Sequence, residues 1–87
     1  MNIRISPRAE KELKKLPKFD KIAIVQKIYT LRISNPHGEE RLAGYPHIFR
    51  VRIGNYRIVY RKTRDETYIV LVRHRKDVYK KLTTLLG

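Results

Sequence analysis

The sequence contains no cysteine and no tryptophan. Without cysteine there can be no disulfide and no thiolate metal ligand, which argues against a secreted, disulfide-stabilised scaffold. No apolar run approaches the roughly 20 residues that span a bilayer, and the N-terminus lacks the apolar core of a signal peptide. We therefore expect a cytoplasmic protein with no membrane partner.

Acidic residues are also scarce. The 87 residues, which predict one domain spanning 1–87, include 21 lysines and arginines but only 8 aspartates and glutamates, for a net charge of +13. A charge of this size attracts polyanions over long distances. It favours nucleic acid, an acidic protein or an anionic surface as the partner.

A β-hairpin is predicted at residues 49–61. Apolar and basic residues alternate there on both sides of Gly54-Asn55, which is typical of a two-residue hairpin loop. Because side chains alternate between the faces of a strand, one face would belong to the core. The predicted core face carries Phe49, Val51, Ile53, Tyr56, Ile58 and Tyr60. The opposite face carries Arg50, Arg52, Arg57 and Arg61.

This register places Arg52 directly opposite Arg57. Like charges facing each other on a sheet destabilise it by roughly 0.2–1 kcal/mol. Two interpretations stay open at this point. Either an anion such as phosphate binds this face, which suits the arginine fork, or the face is a solvated edge that happens to be basic.

The first half of the chain reads as a short strand followed by two helices. Ile3 and Ile5 flank a basic residue, and Ser6-Pro7 supplies an N-cap and a first helical residue. Pro17 ends this helix, and a second helix is predicted over residues 18–33. The apolar stripe of the second helix is wide, so we expect it to be buried against a sheet in an antiparallel helical hairpin.

The second half continues the sheet. Residues 37–46 are predicted to form a loop, and a turn near residues 64–66 leads into a last strand over 67–73. The run 68–72 is the most continuous apolar segment, so it should be the most buried strand. Residues 77–86 can form a short final helix.

The histidines do not form a metal cluster with each other. His37 and His47 lie in loop-like surroundings and are interpreted as structural or incidental. His74 lies between cations, which favour the neutral imidazole, so it is either a general base or part of a solvated strand end. The register of the second turn decides whether Arg73 and Arg75, or His74, share a face with Arg57.

The order of elements and three stretches resemble the RelE/ParE superfamily of toxin–antitoxin proteins. These stretches are Leu42-Ala43-Gly44, residues 50–60 and residues 72–79. The resemblance implies an α+β, RelE-like fold: an N-terminal strand, a two-helix antiparallel hairpin, a three-stranded antiparallel sheet (β-α-α-β-β-β) and a short C-terminal helix.

The RelE branch of this superfamily implies an enzyme. It would be a metal-independent, ribosome-dependent endoribonuclease that cuts messenger RNA in the A site without a cofactor. By resemblance, Arg57 stabilises charge on the phosphate, Arg75 binds phosphate or protonates the leaving oxygen, and Tyr79 stacks on the nucleotide. His74 is a further candidate as the base, and the alternative role of Tyr79 is to pin the last helix to the sheet. Residues expected to bind RNA phosphates are Arg50, Arg52, Arg61, Arg73 and Lys76.

The chain departs from the family pattern at Arg50 and Arg52, where many relatives carry lysine. Arginine keeps the charge but is a poor base, since its pKa stays above roughly 12. Two alternatives therefore remain. One is a ParE-like inhibitor of DNA gyrase that is not an enzyme, and the other is an inactive homologue that represses transcription with its antitoxin.

The resemblance also implies partners. They are an acidic RelB-type antitoxin with an amphipathic helix, the ribosome with its messenger RNA, and operator DNA only through the antitoxin complex.

Overall fold

The computed structural model describes residues 2–33 and 35–76, which form two helices and a five-stranded mixed sheet. In chain order the elements are β1 (Asn2–Ile5), α1 (Pro7–Lys14), α2 (Lys18–Thr30), β2 (Glu40–Arg41), β3 (Ile48–Ile53), β4 (Tyr56–Lys62) and β5 (Glu66–His74). The predicted α+β fold class is confirmed. The final helix predicted over residues 77–86, with Tyr79, lies outside the described residues.

Helix α1 begins as its sequence predicts. Ser6 is the N-cap, and its hydroxyl oxygen accepts a hydrogen bond from the backbone N–H of Ala9 at 3.0 Å. The same hydroxyl donates to the carbonyl of Val70 at 2.9 Å, so the cap also fixes the start of the helix to β5. Ala9 and Leu13 point into the core, which orients α1 across the sheet.

Helix α2 is shorter than predicted, and fewer of its apolar residues are buried than predicted. It ends at Thr30, with Leu31 as the C-cap. The residues that it buries are Ile24 and Ile28, and each contributes about 1.5–3 kcal/mol relative to an exposed side chain. The prediction that the whole apolar stripe is buried is wrong, because the apolar residues of α2 lie on two sides of the helix. The large apolar residues left exposed are Phe19, Ile22, Tyr29 and, after the helix, Ile33.

The strand order is β1-β5-β4-β3-β2, with β1 parallel to β5 and the other pairs antiparallel. Strand β5 lies between β1 and β4 and buries Thr67, Ile69, Leu71 and Val72, so its prediction as the most buried strand is confirmed. Strand β2 is a correction to the predicted loop over residues 37–46. Two residues are too few to show an alternating pattern, and β2 exists because Glu40 and Arg41 pair with β3.

The β3–β4 hairpin has the predicted register, with Ile53 opposite Tyr56 and Arg52 opposite Arg57. Gly54 has a φ of 56°, and Asn55 does not have a positive φ. These signs match a type II′ turn, in which glycine takes the first central position. The core face is confirmed as well, since its six predicted residues all belong to or pack against the main core cluster.

The β4–β5 hairpin fixes the register that the sequence left open. Arg73 pairs with Arg57, whereas His74 pairs with Tyr56, one position further along. An irregularity between Val59 and Tyr60 lets β5 accommodate one extra residue. A smaller apolar cluster of Ile48, Val59 and Leu71 lies on the sheet side opposite the helices.

Candidate functional site

Arginines from three strands lie on the side of the sheet that faces away from the helices. Arg50 and Arg52 come from β3, and Arg57 and Arg61 come from β4. Arg73 of β5 joins them because it pairs with Arg57. We call this side the basic face, and its members are Arg50, Arg52, Arg57, Arg61 and Arg73. The structure thus brings together five of the residues predicted to contact RNA.

Arg57 is the most constrained of these cations. Its Nε and Nη1 atoms are buried and have no hydrogen-bond partner in the described part of the chain. Burial lowers the pKa of Arg57 most, and the positive charges of Arg52, Arg50 and Arg75 lower this pKa further. Arginine nevertheless stays protonated at neutral pH, so Arg57 is a cation with two donors that no acceptor among residues 2–33 and 35–76 satisfies. An oxyanion such as a phosphate oxygen has the charge and acceptor capacity to match them.

A carboxylate that the sequence did not reveal lies beside this cluster. Glu40 of β2 pairs with Arg50, and its Oε2 accepts a hydrogen bond from Arg50 Nη2 at 3.2 Å. The negative charge of Glu40 also raises the pKa of Arg57, against the effect of the arginines. Sequence analysis missed Glu40 because nothing in the sequence predicted β2.

Arg75 and His74, at the end of β5, lie in different surroundings. Arg75 donates its backbone N–H to the carbonyl of Asn55 at 2.8 Å, which holds Arg75 against the hairpin turn near Arg57. His74 instead packs edge-to-face on Tyr56, with ring centroids 5.8 Å apart, and its Nδ1 accepts from the backbone N–H of Lys76. His74 therefore packs on the core side of the sheet, which the sequence analysis did not predict; its role as a general base stays a prediction. Lys76 is exposed, and Tyr79 lies beyond the described ranges.

Arg73 is partly neutralised. Its guanidinium forms an ion pair with Glu12 of α1, and the same carboxylate accepts the backbone N–H of Val72 at 2.9 Å. Strand β1 pairs with β5 only as far as Ile69, so Glu12 supplies the acceptor for the uncovered edge beyond it. Glu12 therefore joins the helix layer to the basic face.

A groove of about 630 Å³ runs between α1 and one end of the basic face. We call it the α1 groove, and its cations are Arg8, Lys11, Lys15, Arg61 and Arg73. The three from α1 recur at intervals of three and four residues, which places them on one helix side. This spacing is visible in the sequence and was the available signal for the groove. Arg61 also lies over the ring of Tyr68, 5.4 Å from its centroid.

Metal ligands do not cluster in the part of the chain that the structure describes: residues 2–33 and 35–76 contain no group of three or more histidine, cysteine, aspartate or glutamate side chains that could hold an ion. None of the helices within these ranges is long and apolar enough to cross a membrane.

Comparison with known proteins identifies the class. A family model described as "ParE toxin of type II toxin-antitoxin system, parDE" matches residues 3–79. The chain therefore belongs to this toxin family, within the RelE/ParE superfamily.

Its relatives carry RelE names. The chain is 34% identical over 86 residues to a toxin named RelE1 of Methanocaldococcus jannaschii, covering 91% of this chain and 94% of the relative. It is 33% identical over 87 residues to the toxin RelG of Mycobacterium tuberculosis, covering 91% and 95%. The solved RelB–RelE antitoxin–toxin complex from Methanococcus jannaschii matches with a TM-score of 0.76 and 26% identity, covering 90% of this chain and 96% of that one.

Proposed function

We propose that this toxin is a ribosome-dependent, metal-independent endoribonuclease that cuts messenger RNA in the ribosomal A site and thereby inhibits translation. The observation that carries the proposal is Arg57, which lies among further arginines and has two buried guanidinium donors without a partner in residues 2–33 and 35–76. The RelE names of the relatives favour the same activity. The site would act in the cytoplasm on messages held by the ribosome.

The proposed reaction uses the RNA's own 2′-hydroxyl. This oxygen loses its proton and bonds to the adjacent phosphorus, while the bond from phosphorus to the 5′ oxygen breaks and that oxygen gains a proton. Negative charge builds on the non-bridging oxygens, where the guanidinium of Arg57 would supply positive charge and hydrogen-bond donors. Arg75 would bind the phosphate or protonate the leaving oxygen, and Tyr79 would stack on the nucleotide.

A residue is also needed to accept the proton of the 2′-hydroxyl. Arg50 and Arg52 are poor bases, and the register places His74 on the other side of the sheet from Arg57. Glu40 is a carboxylate held against Arg50 beside the cluster, and carboxylates can accept a proton during such reactions. We therefore assign Glu40 as the proton acceptor and keep His74 as the alternative.

The ribosome would supply what the toxin surface does not. Arg52 and Arg61 are exposed, so the basic face is an open surface that attracts RNA without fixing its geometry. Cleavage needs the attacking oxygen held in line with the scissile bond, and positioning of this kind accounts for much of a catalysed rate. Remaining cations of the basic face, with Lys76, would contact neighbouring phosphates.

An antitoxin partner completes the proposal. The solved relative is held by an antitoxin named RelB. A protein with a net charge of +13 favours an acidic partner by the same long-range attraction that favours RNA. Contact with operator DNA would then occur only through the antitoxin complex.

The ParE-type alternative keeps a specific basis, because the matching family model is described as a ParE toxin. One experiment separates the possibilities: primer extension on a defined message in programmed ribosomes, with a gyrase supercoiling assay on the same toxin samples. A-site cuts without an effect on supercoiling would support the nuclease. Inhibited supercoiling without cuts would assign the ParE activity, and neither effect would indicate an inactive homologue that acts with its antitoxin.

A further inference from the structure

The α1 groove lies where β1 stops half-way along β5. Strand β1 pairs with β5 only as far as Ile69, and the chain then turns into α1. The hydroxyl of Ser6 donates to the carbonyl of Val70, and the carboxylate of Glu12 accepts the backbone N–H of Val72. Helix α1 therefore lies along the part of β5 that has no neighbouring strand on this side, and the groove opens beside this contact.

The charges that line the α1 groove are almost all positive. Its five cations are accompanied by a single carboxylate, that of Glu12, and this carboxylate is already paired with Arg73. The three cations of α1 are exposed, and none forms an ion pair within residues 2–33 and 35–76. Lys14 of the same helix, outside the groove, is paired with Glu10 at 3.6 Å. Cations gathered in this way repel each other and attract oxyanions such as phosphate.

The floor of the α1 groove is apolar. Ile48, which is buried, and Tyr68 and Val70, which are half-buried, line it together with the cations. Phosphate alone needs no such floor, whereas unpaired nucleobases stack on aromatic rings and on arginine planes. The guanidinium of Arg61 lies over the ring of Tyr68, so both kinds of surface meet in the groove. The combination indicates a nucleotide whose base is free of pairing.

The groove is also continuous with the proposed cleavage site. Arg73 lines the groove and pairs with Arg57 on the neighbouring strand, and paired residues of this kind are about 5 Å apart between their Cα atoms. Arg61 lies four residues from Arg57 on β4, about 13 Å along the strand. A single strand of RNA with one phosphate at Arg57 would therefore reach the groove within a few nucleotides.

We propose that the α1 groove is a second binding site for single-stranded RNA, and that it holds the message a few nucleotides away from the phosphate bound by Arg57. This inference rests on the proposed nuclease function and names a surface that grips its substrate. The cations of α1 contact phosphates, and a base lies against Tyr68. These residues contribute affinity and position, and they take no part in the chemical step.

The first test measures binding without ribosomes. The probe is a fluorescent oligouridylate of eight nucleotides with 2′-O-methyl groups, which cannot be cleaved because its 2′-hydroxyls are blocked. Its anisotropy with the full-length toxin is followed over a salt series. The double variant Lys11→Gln, Lys15→Gln should weaken binding and reduce the slope of log K against log salt by about 1.4, since each phosphate contact contributes about 0.7.

Two control variants separate a site from general charge. The double variant Lys14→Gln, Lys18→Gln removes the same charge from exposed positions outside the groove and should change the slope little. Lys11→Arg, Lys15→Arg keeps the charge in the groove and should bind like the wild type.

The contact with a base is tested at Tyr68. Tyr68→Leu keeps apolar bulk but removes the ring, and it should weaken binding of the oligouridylate about fivefold or more. Tyr68→Phe keeps the ring and should bind like the wild type. An RNA duplex, whose bases are stacked on each other, should bind Tyr68→Leu and wild type equally, which also shows that the variant is folded.

The second test asks which RNA occupies the groove on the ribosome. The message carries 4-thiouridine at single positions around an A-site codon whose 2′-hydroxyls are methylated, and crosslinks are mapped on the toxin after illumination. We expect message positions a few nucleotides from the blocked cleavage site to crosslink to residues of the α1 groove. On a cleavable message, Lys11→Gln, Lys15→Gln should raise the toxin concentration for half-maximal cleavage and leave the rate at saturation unchanged.

Several results would overturn the inference. One is equal weakening by the groove variant and by its matched control, which would mean that charge acts without a site. Another is displacement of the oligouridylate by uridine monophosphate at equal phosphate concentration, which would make the groove a site for small nucleotides. A third is crosslinking of the groove to ribosomal RNA alone.

The binding assay contains no ribosome and no cleavage, so it fails separately from the proposed function. A-site cuts together with RNA binding that ignores the groove would overturn this inference alone. Groove-dependent binding without cuts would overturn the nuclease alone.

Discussion

Arg52 and Arg57 lie directly opposite each other across the β3–β4 hairpin, as a pair of like charges at one register position. Arg57 is also partly buried, and its Nε and Nη1 have no hydrogen-bond partner among the residues that the structure describes. Such an arrangement opposes folding, because repulsion and an unsatisfied charged donor both cost free energy. Binding of an anion between these side chains would offset both costs.

The first prediction is that the charge of Arg57 lowers the stability of the fold. Arg57→Met keeps the aliphatic length but removes the charge, so the free energy of unfolding should rise by about 0.2–1 kcal/mol. Urea denaturation at low salt measures this gain, and added salt should reduce it because salt screens the repulsion. Arg64→Met, at an exposed turn, is the matched control and should change little. A destabilised Arg57→Met would contradict the repulsion between Arg52 and Arg57.

Glu40→Gln tests the assigned proton acceptor. The variant keeps the shape of Glu40 and its place beside Arg50 but removes the negative charge. Cleavage in programmed ribosomes should fall about 10²- to 10⁴-fold, the range in which a general base contributes, while ribosome binding is maintained. Glu66→Gln also breaks an ion pair with an arginine, in this case Arg4, and should cleave normally. Normal cleavage by Glu40→Gln would rule out Glu40 as the proton acceptor and leave His74 as the candidate.

Glu12 is predicted to limit RNA affinity while it stabilises the fold. Glu12→Gln leaves Arg73 without its ion pair, so the observed affinity for single-stranded RNA should rise. The slope of log K against log salt should steepen by about 0.7 for each additional phosphate that the protein neutralises. Stability should fall by about 1–3 kcal/mol, since the charged acceptor at Val72 N–H is weakened. Filter binding over a salt series measures the affinity, and Glu10→Gln, outside the α1 groove, serves as the control.

Tyr60 predicts a pH dependence of stability. Its hydroxyl donates to Glu39 at 2.6 Å, and burial, followed by this hydrogen bond, raises the pKa of Tyr60 above its ordinary value of about 10. A raised folded-state pKa gives stability that is complete below the unfolded-state pKa and is lost as pH rises towards the folded-state value. Stability should therefore decline above about pH 10, beyond what other groups cause.

Tyr60→Phe isolates this contribution. It should cost about 1–3 kcal/mol at pH 7, because Glu39 loses a hydrogen bond at a partly buried site, and it should flatten the alkaline decline. Urea denaturation between pH 7 and pH 11 measures both effects. Tyr45→Phe, at an exposed tyrosine, is the control. An unchanged alkaline slope in Tyr60→Phe would contradict the assigned cause.

The sequence predicted what depends on strong local patterns. Alternation around Gly54-Asn55 predicted the register of the hairpin and hence the pairing of Arg52 with Arg57, and Ser6-Pro7 predicted the start of α1. Features set by contacts between distant segments were missed. Strand β2 exists through its pairing with β3, so Glu40 had no local signal.

Helix α2 shows the same limit in another form. Its apolar residues are enough to predict a helix, but periodicity alone does not show which of them are buried and which stay exposed. Only the position of α2 on the sheet shows that Ile24 faces inwards and Phe19 faces outwards. The role of His74 was likewise undecided until pairing between β4 and β5 placed it opposite Tyr56.

The most direct test of the central claim is A-site cleavage by Arg57→Met, measured by primer extension together with ribosome occupancy on the same samples. Removal of a donor that stabilises developing charge typically costs 10²- to 10³-fold in rate. We predict a loss of that order with occupancy close to wild type, while Arg64→Met cuts normally. Undiminished cleavage by Arg57→Met would contradict the proposed site.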